Sequence, residues 1–219
     1  MVGGMGWPCM FYRNRYLKIF NILIIMSLND FLTENKATLI EGNIDQIPQQ
    51  VEELIKLSKN CKNIMEIGFN AGHSAEMFLK NNPDLTMTSF DLGQWGCVPL
   101  GKQYIDKMFP GRHTLIIGDS RLSIPKFTRD HPDAHFDLLF IDGGHEYEVA
   151  IADIKNCKHL AHKDSIFILD DTHMSEMEAD WNLGPNKALV ESFNSGLLKD
   201  IKCIDFQPGR GMAVGLYNL

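Results

Sequence analysis

A chain of 219 residues, 44% hydrophobic and 22% charged, is long enough for one domain with a full core. Its net charge of −7 argues against a nucleic-acid partner held by bulk electrostatics and favours small-molecule chemistry. The five cysteines, Cys9, Cys61, Cys97, Cys157 and Cys203, are scattered and include no Cys-x-x-Cys pair. They indicate neither a disulfide framework nor a zinc knuckle, and a reducing cytoplasmic compartment is expected.

The first feature in chain order is the apolar run Tyr16 to Met26, with Arg13, Arg15 and Lys18 around its start. About eleven residues fall short of the roughly twenty that span a bilayer, so no membrane span is expected. No small-residue cleavage site follows, which disfavours a signal peptide. The run reads as an N-terminal helix packed on the domain or on a second copy, with Met26-Ser27 as an alternative start. Residues 1–40 are accordingly read as an extension and 41–219 as the domain.

Asp45 to Lys59 places Val51, Leu54, Ile55 and Leu57 largely on one helical face, with Pro48 in the first turn. Ile64 to Ile67 predicts a short strand around Glu66, Gly68 to Gly72 a tight turn, and Ser74 to Lys80 a helix. A strand running through glycines into a helix aims free N–H groups and the helix dipole at one spot, which suits an anionic group such as a carboxylate. An ordinary α/β turn without a ligand has the same outline. The spacing lacks the third glycine of Gly-x-Gly-x-x-Gly, which disfavours a nicotinamide-dependent oxidoreductase.

Further strands are predicted at Leu85 to Phe90, His113 to Ile117, Phe136 to Asp142 and Ser165 to Asp171, and helices at Gln103 to Met108, Glu146 to Cys157 and Asn186 to Phe193. Ile201 to Phe206 and Met212 to Tyr217 form a closing hairpin around Pro208 to Gly211. Strands alternating with helices imply an α/β, Rossmann-like doubly wound sheet of seven mostly parallel strands, with a C-terminal antiparallel hairpin.

In such a sheet ligands bind beyond the carboxyl ends of the strands. Asp91, at the second exit, suits a carboxylate accepting from ribose hydroxyls, with a turn-capping aspartate as the alternative. Asp142, Asp170 and Asp171 lie at the exits of two strands that length allows to be neighbours. Like charges about 4 Å apart cost on the order of 4 kcal/mol at an effective dielectric of 20. Either one carboxyl keeps its proton or a hard divalent cation sits between them. The cation reading is preferred, although either paired aspartate alone would read as a loop cap.

Three stretches carry a family resemblance. Glu66-Ile-Gly68-Phe-Asn70-Ala-Gly72-His-Ser74 resembles the first motif of class I S-adenosylmethionine-dependent methyltransferases. Phe140-Ile-Asp142-Gly-Gly-His145-Glu-Tyr147-Glu and Ile168-Leu-Asp170-Asp171-Thr-His173 are similar to the metal motifs of the small metal-dependent O-methyltransferases, which include catechol, caffeoyl-CoA and sugar-methylating types. The catechol and caffeoyl types commonly carry Asp-Asn where Asp170-Asp171 stand and a lysine at the place of His145, so the likeness leans towards the sugar or natural-product branch.

The resemblance, over about residues 41–219, implies S-adenosylmethionine as cofactor. It would be held by Glu66, Gly68, Asn70, Gly72, Ser74, Asp91 and Asp142, with adenine at Gly118, Asp119 and Ser120 and the segment 41–44 passing over the methionine end. It also implies a divalent cation, Mg²⁺ by preference, on Asp142, Asp170 and Asp171. His145 is the candidate general base because imidazole titrates near neutrality, with a surface, supporting or metal-ligand histidine as the alternatives. His173 reads as a loop or supporting residue. Trp95 reads equally as adenine stacking or core, and Met174, Met177 and Trp181 as core cover or the acceptor wall.

The function expected is therefore transfer of a methyl group to a hydroxyl of a small molecule: a sugar, nucleotide sugar, catechol-like compound or other vicinal diol. The alternatives are a metal-independent N- or O-methyltransferase and a non-catalytic binding subunit of the same fold. A homo-oligomer through the N-terminal segment is the expected assembly.

Overall fold

The computed structural model describes residues 26–37, 43–174 and 179–219. Most of the apolar run, the Glu41-Gly42 part of the segment expected over the methionine end, and Met177 lie outside the described residues.

The polypeptide builds a seven-stranded sheet between two layers of helices. Strands β1 (Asn63–Ile67), β2 (Thr86–Asp91), β3 (His113–Ile117), β4 (Phe136–Ile141), β5 (Ala161–Leu169), β6 (Leu198–Gln207) and β7 (Arg210–Tyr217) are ordered 3-2-1-4-5-7-6. The first five run parallel; β7 pairs antiparallel with β5 and β6 with β7. This is the doubly wound sheet with a terminal hairpin that the strand pattern implies.

Helices α1 (Leu28–Glu34), α2 (Pro48–Ser58), α3 (His73–Asn81) and α4 (Cys97–Met108) contribute to the core on one face. Helices α5 (Ser120–Asp130), α6 (Tyr147–Cys157) and α7 (Leu183–Asn194) cover the other. The central strands are apolar on both faces because helices cover both, as β4 shows with Leu138 to Phe140 fully buried. At the N-terminal side, Ser27 caps α1 by accepting from the Asp30 N–H, and Leu28 and Leu32 are buried in the domain core. His73 Nε2 lies 2.9 Å from Asn29 Oδ1, and the Tyr104 hydroxyl donates to the Met26 carbonyl.

Two elements differ from the sequence expectation. Helix α4 starts six residues earlier than Gln103, because Pro99 sits in its first turn, where a missing N–H costs nothing, and Gly101 lies against the Ala71 carbonyl. Helix α5 was not expected at all: Pro125 lies inside it and only Ile124 is buried along it, so it shows neither a clean apolar stripe nor an unbroken pattern.

Candidate functional site

The parallel register brings the exits of β1, β2, β4 and β5 into line. Ile67 pairs with Phe90 and with Ile141, and Ile141 with Leu169. The backbone continues the alignment past the strand ends: Asp142 N–H donates to the Ile67 carbonyl and Asp170 N–H to the Ile141 carbonyl, both at 2.9 Å. Asp142 and Asp170 thus stand side by side next to the glycine turn.

The turn after β1 is left-handed at three positions, Gly68 (φ 93°), Asn70 (φ 47°) and Gly72 (φ 88°). Gly68 is required by packing as well as by φ: a Cβ there would lie 1.8 Å from the Asp142 carbonyl oxygen. That close approach joins the turn to the β4 exit. Asp91 stitches the turn to β2, accepting from Phe69 N–H at 3.0 Å and Asn70 N–H at 2.8 Å through Oδ2, and from Gly93 N–H at 2.7 Å through Oδ1. Three of its roughly four acceptor positions are occupied by backbone.

Glu66 lies beneath the turn rather than in the crevice. It is fully buried, takes the Ser89 hydroxyl at 2.5 Å and also the Ser74 hydroxyl, and burial lifts its pKa to about 7. Ser89 in turn lies 2.9 Å from His113 Nε2, whose ring burial holds neutral, with a pKa of about 4. Ser74 and Glu66 therefore satisfy each other below the floor on which they were expected to receive a ligand.

At the β3 exit, Gly118 (φ 146°) precedes Asp119, which caps α5 by accepting from Arg121 N–H. The Arg121 guanidinium holds the Asp119 carboxyl below its ordinary range through hydrogen bonds of 2.6 to 3.1 Å. Around it Leu92, Ile117 and Leu122 are each more than half exposed. Leu92 follows β2, Ile117 ends β3 and Leu122 lies in the first turn of α5, so exposed apolar side chains occur at two neighbouring strand exits. Trp95 is half-buried and packs against the core.

The acidic group is knit more closely than charge repulsion alone would allow. Asp142 is raised well above the ordinary carboxylate range by burial, then by Asp170 and Asp171. Asp170 is raised by burial and by Asp171, and accepts from Gln50 Nε2 at 2.6 Å. Asp171, left-handed at φ 53°, has His145 Nε2 at 2.9 Å from Oδ2 and Arg210 Nη1 at 3.7 Å from Oδ1. Its carbonyl accepts from the Asn182 amide at 2.6 Å. A recess of about 10 Å³, the size of one water or ion, touches Asp142, His145, Asp170 and Asp171. Among the described residues, no three His, Cys, Asp or Glu side chains have their ligating atoms arranged to hold a metal ion. An all-oxygen donor set with surplus negative charge nonetheless matches the chemistry of a hard divalent cation. Gln50 and Arg210 were missed because each reaches the site from an element distant in sequence.

His173 is buried, its backbone bracketed by the Asn186 amide through bonds of 3.0 and 2.8 Å. Trp181 Nε1 donates to the Gly209 carbonyl at 3.1 Å, fastening the segment before α7 to the β6–β7 turn. Met174 is half-exposed. A groove of about 720 Å³ bordered by Met174, Leu183, Lys187 and Val190 touches none of the strand-exit carboxylates.

The strand order, the terminal hairpin and the glycine turn at the β1 exit define a class I S-adenosylmethionine-dependent O-methyltransferase fold. Residues 65–172 match a family profile described as a methyltransferase domain. No curated protein sequence matches the chain. Solved structures similar to it include the O-methyltransferase of Bacillus cereus in complex with S-adenosylhomocysteine, 13% identical with a TM-score of 0.68 over 92% of this chain and 94% of that one. The O-methyltransferase of tomaymycin synthesis from Streptomyces achromogenes, in complex with S-adenosylmethionine, is 14% identical with a TM-score of 0.65 over 88% of each chain. A TDP-rhamnose 3'-O-methyltransferase of calicheamicin biosynthesis is 19% identical with a TM-score of 0.59 over 87% and 91%. The protein is a methyltransferase. Among the described residues, no helix is long and apolar enough to cross a membrane.

Proposed function

We propose that this methyltransferase alkylates a hydroxyl of a small molecule carrying two adjacent oxygens, a sugar or another vicinal diol, with a divalent cation at Asp142, Asp170 and Asp171. The observation that carries the reading is the meeting of three carboxylates at the β4 and β5 exits, beside the glycine turn. The sugar-methylating structure among the similar folds supports the acceptor class. The glycine turn and the Asp91 stitch would orient the methionine and ribose parts of S-adenosylmethionine, and Leu92, Ile117 and Leu122 would shield its base from water.

S-adenosylmethionine supplies a methyl group already activated by its sulfonium, so the chain must supply in-line placement and a deprotonated oxygen. A divalent ion held there would supply a lowered hydroxyl pKa and a fixed bite for two acceptor oxygens. His145 Nε2 lies 2.9 Å from Asp171 Oδ2, and in this reading the imidazole, oriented by that carboxylate, would take the acceptor's proton. Asp171 keeps that ring in place and offsets its charge once protonated. Gln50 holds Asp170 towards the cluster, and Arg210 limits the repulsion while no cation is present.

The Arg210 contact favours a second reading, a metal-independent methyltransferase in which Arg210 and His145 balance the carboxylates. The test is methyl transfer from S-adenosylmethionine to nucleotide sugars, free sugars and catechols, with Mg²⁺ and with a chelator. The proposal expects turnover that chelator abolishes and Asp171→Ala removes, while S-adenosylhomocysteine still binds. Full turnover in chelator would select the second reading. Cofactor binding without turnover on any acceptor would favour a non-catalytic subunit.

A further inference from the structure

Glu66, the last residue but one of β1, and Ser74, the second residue of α3, stand at the two ends of the glycine turn, and the Ser74 hydroxyl donates to Glu66 Oε1. That bond closes the loop by which the chain passes from strand to helix. Glu66 Oε2 takes the hydroxyl of Ser89 on β2, and Ser89 Oγ lies 2.9 Å from Nε2 of His113, the first residue of β3. All four side chains are buried. A serine hydroxyl carries one hydrogen, and that of Ser89 goes to Glu66, so its contact with the imidazole needs a hydrogen from His113. The other ring nitrogen, Nδ1, is buried without a partner among the described residues. A buried unpaired donor is costlier than a donor that meets an acceptor, so the single N–H of the neutral ring belongs on Nε2. The ring also packs on Phe69, a residue of the turn itself, at 5.0 Å between centroids and 30° between planes.

We infer that His113 is a positioning residue for the cofactor: its Nε2–H begins a line of hydrogens that runs through Ser89 to Glu66, and this line leaves Glu66 to accept from Ser74 and hold the glycine turn closed. The inference rests on the reading of that turn as the seat of S-adenosylmethionine. His113 acts through Ser89 and Glu66, not on the cofactor itself. Without a donor at Nε2 the Ser89 hydroxyl is no longer held in one direction, and the buried carboxylate loses a donor that stabilises its charge. The α3 end of the turn loosens as a result. Packing and relay make opposite demands on the side chain at this position. A brace against Phe69 needs an aromatic face, whereas a relay needs an N–H where Nε2 stands.

The experiment is calorimetric titration of the full chain with S-adenosylhomocysteine at about pH 8.5, where Glu66, with a pKa of about 7, is ionised. His113→Phe keeps an aromatic face on Phe69 and removes the donor; it should weaken binding about threefold to tenfold, the effect of one lost buried hydrogen bond. His113→Gln removes the ring but returns an amide N–H at similar reach, and should bind within about twofold of the wild type. On a Ser89→Ala background, where no hydroxyl remains to be directed, His113→Phe should cost less than about twofold. The reverse order, with His113→Phe as good as the wild type and His113→Gln weaker, would make His113 a packing residue and overturn the inference. An undiminished effect of His113→Phe on the Ser89→Ala background overturns it too. Should these variants fail to fold, nitrogen NMR of the histidine rings in the wild type decides: His113 should be the Nε2–H tautomer, and an Nδ1–H tautomer would break the line. A wild type that leaves S-adenosylhomocysteine unbound sinks the cofactor reading and the inference with it.

Discussion

Burial holds the Glu66 carboxyl protonated up to a pKa of about 7, against 4.5 for a solvated glutamate. The native state thus binds this proton more tightly than the unfolded chain does. The associated stability is fully present below about pH 4.5 and is lost as pH rises through about 7, a loss on the order of 3 kcal/mol. Glu66→Gln should remove that slope, so urea midpoints of wild type and variant should diverge between about pH 5 and 8; parallel profiles would show that Glu66 is ionised throughout. At the acidic cluster, Asp170→Asn should raise the thermal midpoint of the cation-free protein by about 2–4 °C, because it removes one of three like charges yet keeps an oxygen for Gln50. The same change should remove any further rise on adding Mg²⁺. His145→Ala should lower kcat about 100-fold or more with S-adenosylhomocysteine affinity unchanged, as loss of a general base requires. A matching fall in cofactor affinity would move His145 out of that role.

Helix α4 approaches the glycine turn after β1 closely enough that Gly101 admits no Cβ: one would stand 2.2 Å from the Ala71 carbonyl. Gly101→Ala should therefore cost about 2–3 kcal/mol as the helix is pushed away. Gly96→Ala, with an ordinary φ of −65° and nothing within 4 Å, should stay within about 1 kcal/mol of wild type. Chemical denaturation of the two variants checks the contrast. Legibility in the sequence followed the same physical lines. The core strands could be read because β4 and its neighbours are continuous apolar runs, and the acidic exits because they follow those runs directly. The direction of Glu66 could not, since four of the five residues of β1 are buried and period-two alternation carries no signal there. Helix α5 was hidden by Pro125, and Gln50, Arg210 and the exposed apolar trio act only once distant segments meet.

For the whole molecule, a ligand that binds only the native state raises the free energy of unfolding by about 2.7 kcal/mol at one hundred times its Kd. For a chain of this length that corresponds to a rise of about 5–10 °C in melting temperature with S-adenosylhomocysteine, and none with NAD. A shift with NAD alone would undo the cofactor assignment. The two sides of the sheet divide the labour: α5 and α6 follow the β3 and β4 exits, while α3 and α4 pack about the turn. The ring of His73, in the opening turn of α3, also grips Asn29. Occupation of the crevice should therefore be audible at a distance. Backbone amides of Leu28–Glu34 should exchange with deuterium more slowly when the cofactor product is present, and His73→Ala should silence that echo.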